Sequence, residues 1–375
     1  MSGAARMTAA KGFSWTLALA STALVSCVHA EDAATTDGAS DPGTGAELEA
    51  PPAVEEVAYG AMEVGGRITH PEITESSGLA ASRRTPGGWW THNDSGDTPR
   101  LFLLDERGEL LQEYRVDVPR AIDWEDMCSF ELDGRAYLLV GDIGDNARKR
   151  SQVTLWLIPE PAYDPASSPA EPPILAPVRK FDFAFAQGPQ DCESLAFDPV
   201  TRTVMLITKV DPRRNLFKTA GVYLWPWPAS PENAAPSEAG DASAVPPATG
   251  PELSLQAPRP NGADGLPAAP EQTVVLERDA KLSLRIVVGA DVAADGSRCV
   301  VATYGDAWTY ARQPGQTWAQ AFSEPPKQVA LGPRGQSEAV AFAADGVTVY
   351  LTAEGVDKPL WRVAPEAAAA GGPGS

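Results

Sequence analysis

Apolar and polar positions along this chain recur in one frame: an acidic residue, a short apolar run, a turn, a second apolar run and a polar end. The first copy is Glu75 to Ser82, a turn at Pro86-Gly87-Gly88, then Trp89-Trp90-Thr91-His92-Asn93-Asp94. The second opens on Asp123-Trp124-Glu125-Asp126, turns at Asp133-Gly134 and ends on Gly141-Asp142-Ile143-Gly144-Asp145-Asn146. A third runs Glu193 to Pro199 and Val204 to Lys209, a fourth Asp291 to Gly296 and Cys299 to Asp306, a fifth Glu338 to Gly346 and Val347 to Glu354. The fourth is irregular: counted back from the Asp-Gly turn, Asp291 stands three residues later than Glu338 does, so its strand is better marked than its acid.

Short runs of this kind, bounded by turn residues and with little helical periodicity, predict strands. A third apolar segment follows each frame (Leu101 to Asp105, Val153 to Pro159, Val222 to Trp227, Trp308 to Ala311, Leu360 to Val363), and in four copies a fourth (Leu110 to Val116, Arg179 to Phe185, Thr273 to Leu276, Lys327 to Leu331). Four-stranded units repeating every ~45 to 70 residues match the blades of a propeller. The last copy lacks its fourth strand, and Ala61 to Ile68, ahead of the first copy, is a strand-like segment available to complete it. Closing the ring that way removes sheet edges that invite pairing with other chains. The expected fold is all-β: a single β-propeller of five blades, or six if the long third unit hides one, closed by an N-terminal strand.

The flanks depart from this pattern. Arg6 and Lys11 precede an apolar run, Phe13 to Ser26, too short for a stable membrane span, which marks an export signal. Leu24-Val25-Ser26-Cys27 resembles the bacterial lipobox, in which the Cys is lipidated, whereas Val28-His29-Ala30 suits an ordinary signal peptidase. The expected organisation is a signal peptide at 1–27, a disordered tether at 28–57, the propeller at 58–365 with a disordered insertion at 228–270, and a disordered tail at 366–375. The three disordered stretches are rich in Ala, Pro, Gly and acidic residues and too poor in large apolar side chains to offset the entropy of ordering. The expected location is extracytoplasmic: a lipoprotein anchored in the periplasm or at the cell surface, alternatively a secreted protein.

Charge narrows the partners. Fifty acidic against 30 basic residues give a formal net charge of -20 and a pI near 4.6, which repels nucleic acid and anionic headgroups and favours cations. Nucleic acid is excluded, membrane contact is expected only through the lipid anchor, and the protein is expected to be a monomer. Cys128, Cys192 and Cys299 are an odd number in or beside apolar runs, which fits buried small hydrophobes better than a disulfide framework.

In an antiparallel blade the start of the first strand and the end of the second share one edge. The acids that open the first strands, Glu75, Asp123, Glu125, Glu193 and Glu338, should therefore meet the second-strand ends, His92-Asn93-Asp94, Asp142 with Asp145-Asn146, Lys209 and Glu354, at one mouth of the central channel. Carboxylates so gathered repel by about 4 kcal/mol per pair at ~4 Å and an effective dielectric of ~20. A bound divalent cation, internal counter-ions such as Lys209, or protonation offsets this. The oxygen donors proposed for a cation, Ca²⁺ by ligand type, are Asn93, Asp94, Asp142, Asp145 and Asn146. The same runs also serve to shape loops, since Asp and Asn bond turn amides. Glu75, Asp123, Asp126, Lys209 and Glu354 are expected to face a ligand, and His92, Glu125, Glu193 and Glu338 are the candidates for acid/base work.

The segments Glu75-Ser-Ser-Gly-Leu79, Thr91-His-Asn-Asp-Ser-Gly-Asp97, Asp123-Trp-Glu-Asp126 and Gly141-Asp-Ile-Gly-Asp-Asn146, with Asp191-Cys-Glu-Ser194, Gly289-Ala-Asp291, Thr303-Tyr304-Gly305 and Gln336-Ser-Glu-Ala339, resemble a family of exported bacterial propellers without a settled function. More distantly the chain is similar to the esterase-like domain associated with phytases and to calcium-dependent lactonase propellers. The resemblance implies the fold, export and calcium; no complete catalytic motif of either relative is matched. Two functions are expected: an exported module binding a cation and a polar small molecule or protein partner, or a metal-dependent hydrolase of an ester, lactone, phosphate ester or glycoside.

Overall fold

The computed structural model describes residues 52–167, 169–210, 219–228, 272–332 and 337–366. The leader, Cys27, nearly all of the expected tether and insertion, the tail beyond 366 and Gln336 lie outside the described residues. The described residues all fall in one compact unit.

Among the described residues twenty-two strands form five sheets, one per blade, with one short helix. Strand β1 (Glu63–Ile68) belongs to the last blade; the first blade holds β2 (Ser76–Ala81), β3 (Trp89–Asn93), β4 (Arg100–Leu104) and β5 (Leu110–Val116). The second is β6 (Trp124–Leu132), β7 (Arg135–Asp142), β8 (Val153–Pro159) and, beyond β9 (Ile174–Leu175), β10 (Arg179–Phe185). The third is β11 (Cys192–Asp198), β12 (Thr203–Thr208), β13 (Ala220–Pro226) and, beyond β14 (Val274–Leu276), β15 (Ala280–Leu282). The fourth is β16 (Val287–Val292), β17 (Arg298–Thr303), β18 (Ala307–Ala311) and, after helix α1 (Trp318–Ala321), β19 (Lys327–Val329); the fifth is β20 (Ala339–Phe342), β21 (Val349–Thr352) and β22 (Lys358–Val363), completed by β1. The inner strands β2, β6, β11, β16 and β20 neighbour one another in that order and back to β2, which closes a five-membered ring. The expected architecture, including closure by Ala61 to Ile68, is present.

One strand lies elsewhere than the repeat predicts. Thr273 to Leu276 was expected as the fourth strand of the third blade, but β14 pairs in parallel with β10 of the second, and β15 takes the vacant edge. Likewise β9, within the Pro-rich loop after the second blade's third strand, pairs in parallel with β5 of the first. Each long connection thus reaches back and covers the outer edge of the preceding blade, which blunts an edge otherwise open to other chains.

Apolar packing joins the blades. Phe130 and Phe197 meet at 3.9 Å between ring centres, and Trp227 packs on Phe181 at 5.0 Å and Phe197 at 5.3 Å, so that the second and third blades share an aromatic core. Buried carboxylates add fixed bonds across blade boundaries. Glu160, just past β8, accepts Trp90 Nε1 at 2.9 Å and the Arg83 amide at 3.1 Å, and Asp198 accepts Trp318 Nε1 at 2.8 Å. Cys128, Cys192 and Cys299 are buried and unpaired, as their apolar neighbours suggest.

Residues 52–57, the expected end of the tether, run along the fourth blade at the end of the channel opposite the openings of the inner strands. Val54 exchanges backbone hydrogen bonds with the Gln313 amide at 2.8 and 3.0 Å, and Glu56 pairs with Lys327 at 3.6 Å. Among the described residues no helix is long and apolar enough to cross a membrane.

Candidate functional site

Four of the five inner strands carry a β-bulge in their first residues. In β2 the extra residue is Ser77, in β11 it is Glu193 and in β16 it is Val288, while in β6 the pair Glu125-Asp126 stands opposite Gly141 alone. A bulge re-aims side chains that strict alternation would send to opposite faces. Glu125 and Asp126, consecutive in β6, have different surroundings, and that difference defines the site.

Glu125 joins Asp94 and Asp123: one carboxylate oxygen from each lies within 4.8 Å of the other two. Asp94 follows β3, its N–H bonded to Glu75 O at 3.0 Å. Asp123 precedes β6, and its carbonyl accepts the N–H groups of Ile143 and Gly144 at 3.1 Å each, which ties the Gly141-to-Asn146 turn over the cluster. A Cβ on Gly144 would stand 2.2 Å from Glu125 Oε1 and 2.5 Å from Asp123 Oδ2. The glycine leaves the space that the two carboxylates occupy.

The three acids resist ionising together. Burial, then the charge of Asp94, pushes Asp123 up to about 6. Burial, then Glu193, holds Glu125 well above the usual carboxylate range, and burial raises Asp94, with Glu354 and Glu75 adding to it. Beside them Glu193 is buried, and burial pushes it up to about 7 although Lys209 Nζ stands 2.8 Å from Oε2. Its other oxygen, Oε1, is buried without a hydrogen-bond partner. Burial opposes the charge on Lys209, but Glu193 and Tyr304 outweigh it and hold the ammonium above its ordinary range; Nζ sits 5.1 Å from the Tyr304 ring centre.

A group of three carboxylate donors, with one oxygen of a fourth acid left without a partner beside them, suits a hard divalent cation. The nearby bases are committed elsewhere: Lys209 to Glu193, and Arg150 to Asp142 at 2.7 Å.

The donor set differs from the one the sequence predicts. Of Asn93, Asp94, Asp142, Asp145 and Asn146, only Asp94 is in the cluster. Asn93 is a loop brace: Oδ1 accepts the amides of Thr74 and Glu75 at 3.0 and 3.1 Å, and Nδ2 donates to Glu72 O at 2.8 Å. Asp142 accepts the amides of Ile122 and Asp123, and Asp145 those of Lys149 and Arg150. Asn146 is exposed. The oxygens of Asn93, Asp142 and Asp145 are taken up by backbone amides, the role Asp and Asn commonly have at strand ends.

Two further assignments change. Asp126, expected at a ligand, is wholly buried and accepts the amides of Met127, Leu195 and Ala290 at 2.8, 2.9 and 3.1 Å, so it acts within the channel and not at its mouth. His92, expected as an acid or base, is likewise buried, edge-on to Trp124 at 5.5 Å, with Nδ1 2.9 Å from Asn93 O. Burial pushes its imidazole down to about 4, so it is neutral at pH 7. A Cβ on Gly78 would meet its Nε2 at 2.4 Å, which shows how closely the ring is enclosed.

Glu75 and Glu354 are exposed at the rim and act on Asp94 through their charge. Glu338, buried, faces the same mouth through Tyr304, whose hydroxyl its charge raises after burial has done so. Asp191 and Tyr304 belong to the site although the candidate residues omitted them. The signal for Asp191 was its spacing, since Asp191-Cys-Glu193 repeats Asp123-Trp-Glu125. Its Oδ1 accepts the Asp145 amide at 3.1 Å.

No family model matches the sequence, and no curated protein matches it. Solved structures do: one titled "Structure of Dos1 propeller" aligns over 77% of this chain and 68% of its own, at 10% identity and a TM-score of 0.34. A likeness that distant concerns the fold alone, and the propeller rests on the sheet order given above.

Proposed function

We propose that the propeller holds a divalent cation on Asp94, Asp123 and Glu125 and presents it to a polar ligand at the mouth of the channel. The observation that carries this is the gathering of three carboxylates within 4.8 Å, with Gly144 shaped to leave them room and the neighbouring bases engaged elsewhere. Without a cation the cluster is a standing cost, because each ionised pair repels. Oxygen-only donors at an irregular bulge favour Ca²⁺ over Mg²⁺, which demands near-octahedral geometry. The test is a calcium and magnesium titration of thermal stability on chelator-treated protein, in which wild type gains and Asp123→Asn with Glu125→Gln does not.

A second reading, hydrolysis, is favoured by Glu193. A carboxyl near 7 with one oxygen unpaired, beside a cation, has the properties of a general base that takes a proton from attacking water. The cation supplies Lewis acidity when bound. A panel of chromogenic esters, lactones and phosphate esters, with and without chelator, decides between binding and turnover. Export and lipidation at Cys27 are part of the same proposal, and fatty-acid labelling of wild type against Cys27→Ala tests them.

A further inference from the structure

On the third-blade side of the same mouth lies a cavity of about 300 Å³. Its walls come from the ends of β12 and β13, the turn between β14 and β15, and the loop after β7. Arg148, Lys209, Arg278 and Lys281 line it, and no Asp or Glu does. In a chain of net charge -20 this is a local inversion of sign.

These cations are short of partners. Lys209 is bonded to Glu193. Among the described residues Arg148, Arg278 and Lys281 make no salt bridge, and Arg148 Nε is buried with no hydrogen-bond partner. Arg148 also has a φ of 51°, a left-handed conformation uncommon for a residue with a side chain. The turn over the acidic cluster holds it there, through its N–H to Asp145 O at 2.7 Å. Arg278 lies along Gly221, where a Cβ would meet its Cδ at 3.0 Å, so the cavity is shaped around that side chain.

We propose that this cavity is an anion subsite, taking a doubly charged oxyanion, a phosphate or sulfate group, carried by the ligand that the adjoining cation binds. Guanidinium forks match tetrahedral oxyanions by paired hydrogen bonds. A dianion offers a charge to each of the two guanidinium groups, Arg148, which also acts on Asp191 through its charge, and Arg278, and leaves the exposed Lys281 to solvent, whereas a singly charged carboxylate serves one of them. Lys209 links the two halves, lining the cavity with one side and bonding Glu193 with the other. The inference deepens the cation reading by naming the ligand class, and depends on that reading only for the shared ligand.

The test is calorimetric and thermal-shift titration of the full chain with inorganic phosphate, sulfate and acetate at matched ionic strength, on chelator-treated protein and, for sulfate and acetate, on calcium-loaded protein. Phosphate and sulfate are expected to bind and acetate not. Arg278→Gln with Lys281→Gln, both exposed, is expected to weaken phosphate at least tenfold, as is Arg148→Gln, while the thermal stability and the calcium response of the double variant stay as in wild type. A phosphate response equal to that of acetate, or one that survives in the double variant, overturns the subsite. Phosphate binding by a wild type that ignores calcium removes the cation reading and leaves the subsite standing; calcium binding without phosphate does the reverse.

Discussion

The carboxylate of Asp126, on the inner strand of the second blade, accepts the amide of Ala290, on the inner strand of the fourth, at 3.1 Å. These blades are not neighbours in the ring, so the bond spans the channel beneath the acidic mouth. The same oxygen takes the amide of Leu195 in the third blade at 2.9 Å. Asp291 repeats the device between the fourth and fifth blades, accepting Phe342 N at 2.9 Å.

Removing the Asp126 carboxylate strands three buried amides. Each unsatisfied donor costs about 1 to 3 kcal/mol, so Asp126→Ala is expected to lose at least ~3 kcal/mol in denaturant unfolding. A loss below ~1 kcal/mol would mean that water replaces the carboxylate.

The sign of the Glu125→Gln effect is set by pH and by the cation. A carboxyl whose folded pKa is raised binds its proton more tightly when folded, so its contribution is favourable at low pH and declines as pH rises through the unfolded and then the folded value. In chelator, Glu125→Gln is therefore expected to be more stable than wild type at pH 8, by roughly 1 to 3 kcal/mol, and level with it near pH 4. With calcium the order at pH 8 reverses. Chemical denaturation at the two pH values, with and without calcium, checks all four points.

Gly144→Ala places a methyl on the oxygens of Glu125 and Asp123. The turn or the cluster must move, at a cost of about 1 to 3 kcal/mol. The stabilisation by calcium is expected to vanish, whereas Gly134→Ala, at an exposed hairpin turn with nothing near its Cβ, strains its own backbone but keeps the calcium response.

His92 is held neutral. A histidine whose folded pKa lies below its unfolded value stabilises less as pH falls through the unfolded value toward the folded one. The ring is expected to show no titration by NMR between pH 8 and 5, with protonation only near 4. A midpoint near 6.5 would place it in contact with solvent and restore it as an acid/base candidate.

The fold was legible because the frame repeats: each copy carries its own strand pattern and its own turn, down to the N-terminal strand that fills the last blade. Thr273 to Leu276 misled because a short apolar run states that it is a strand but not which edge it joins, and β10 in the neighbouring blade offered one. The mouth was legible for the same reason as the fold, since antiparallel pairing alone brings Asp94, Asp123, Glu125 and Glu193 together. Alternation sends Glu125 and Asp126 to opposite faces, but it does not say that Glu125 meets other carboxylates while Asp126 meets the amides of Leu195 and Ala290. The roles of Asp142, Asp145 and Asn93 likewise turn on backbone amides that have no side-chain signature.

Strand β1 and strand β22 are held together across nearly the whole chain, with Glu63 paired to Arg362, 299 residues away. As the chain is synthesised, the first blade-forming segment must therefore wait for the last. Until Val363 is available β1 lacks its full partner strand and the ring has two raw ends, so a partly made chain has no sealed surface. Synthesis runs linearly while the architecture is circular, and the final seam makes the completed molecule a single event.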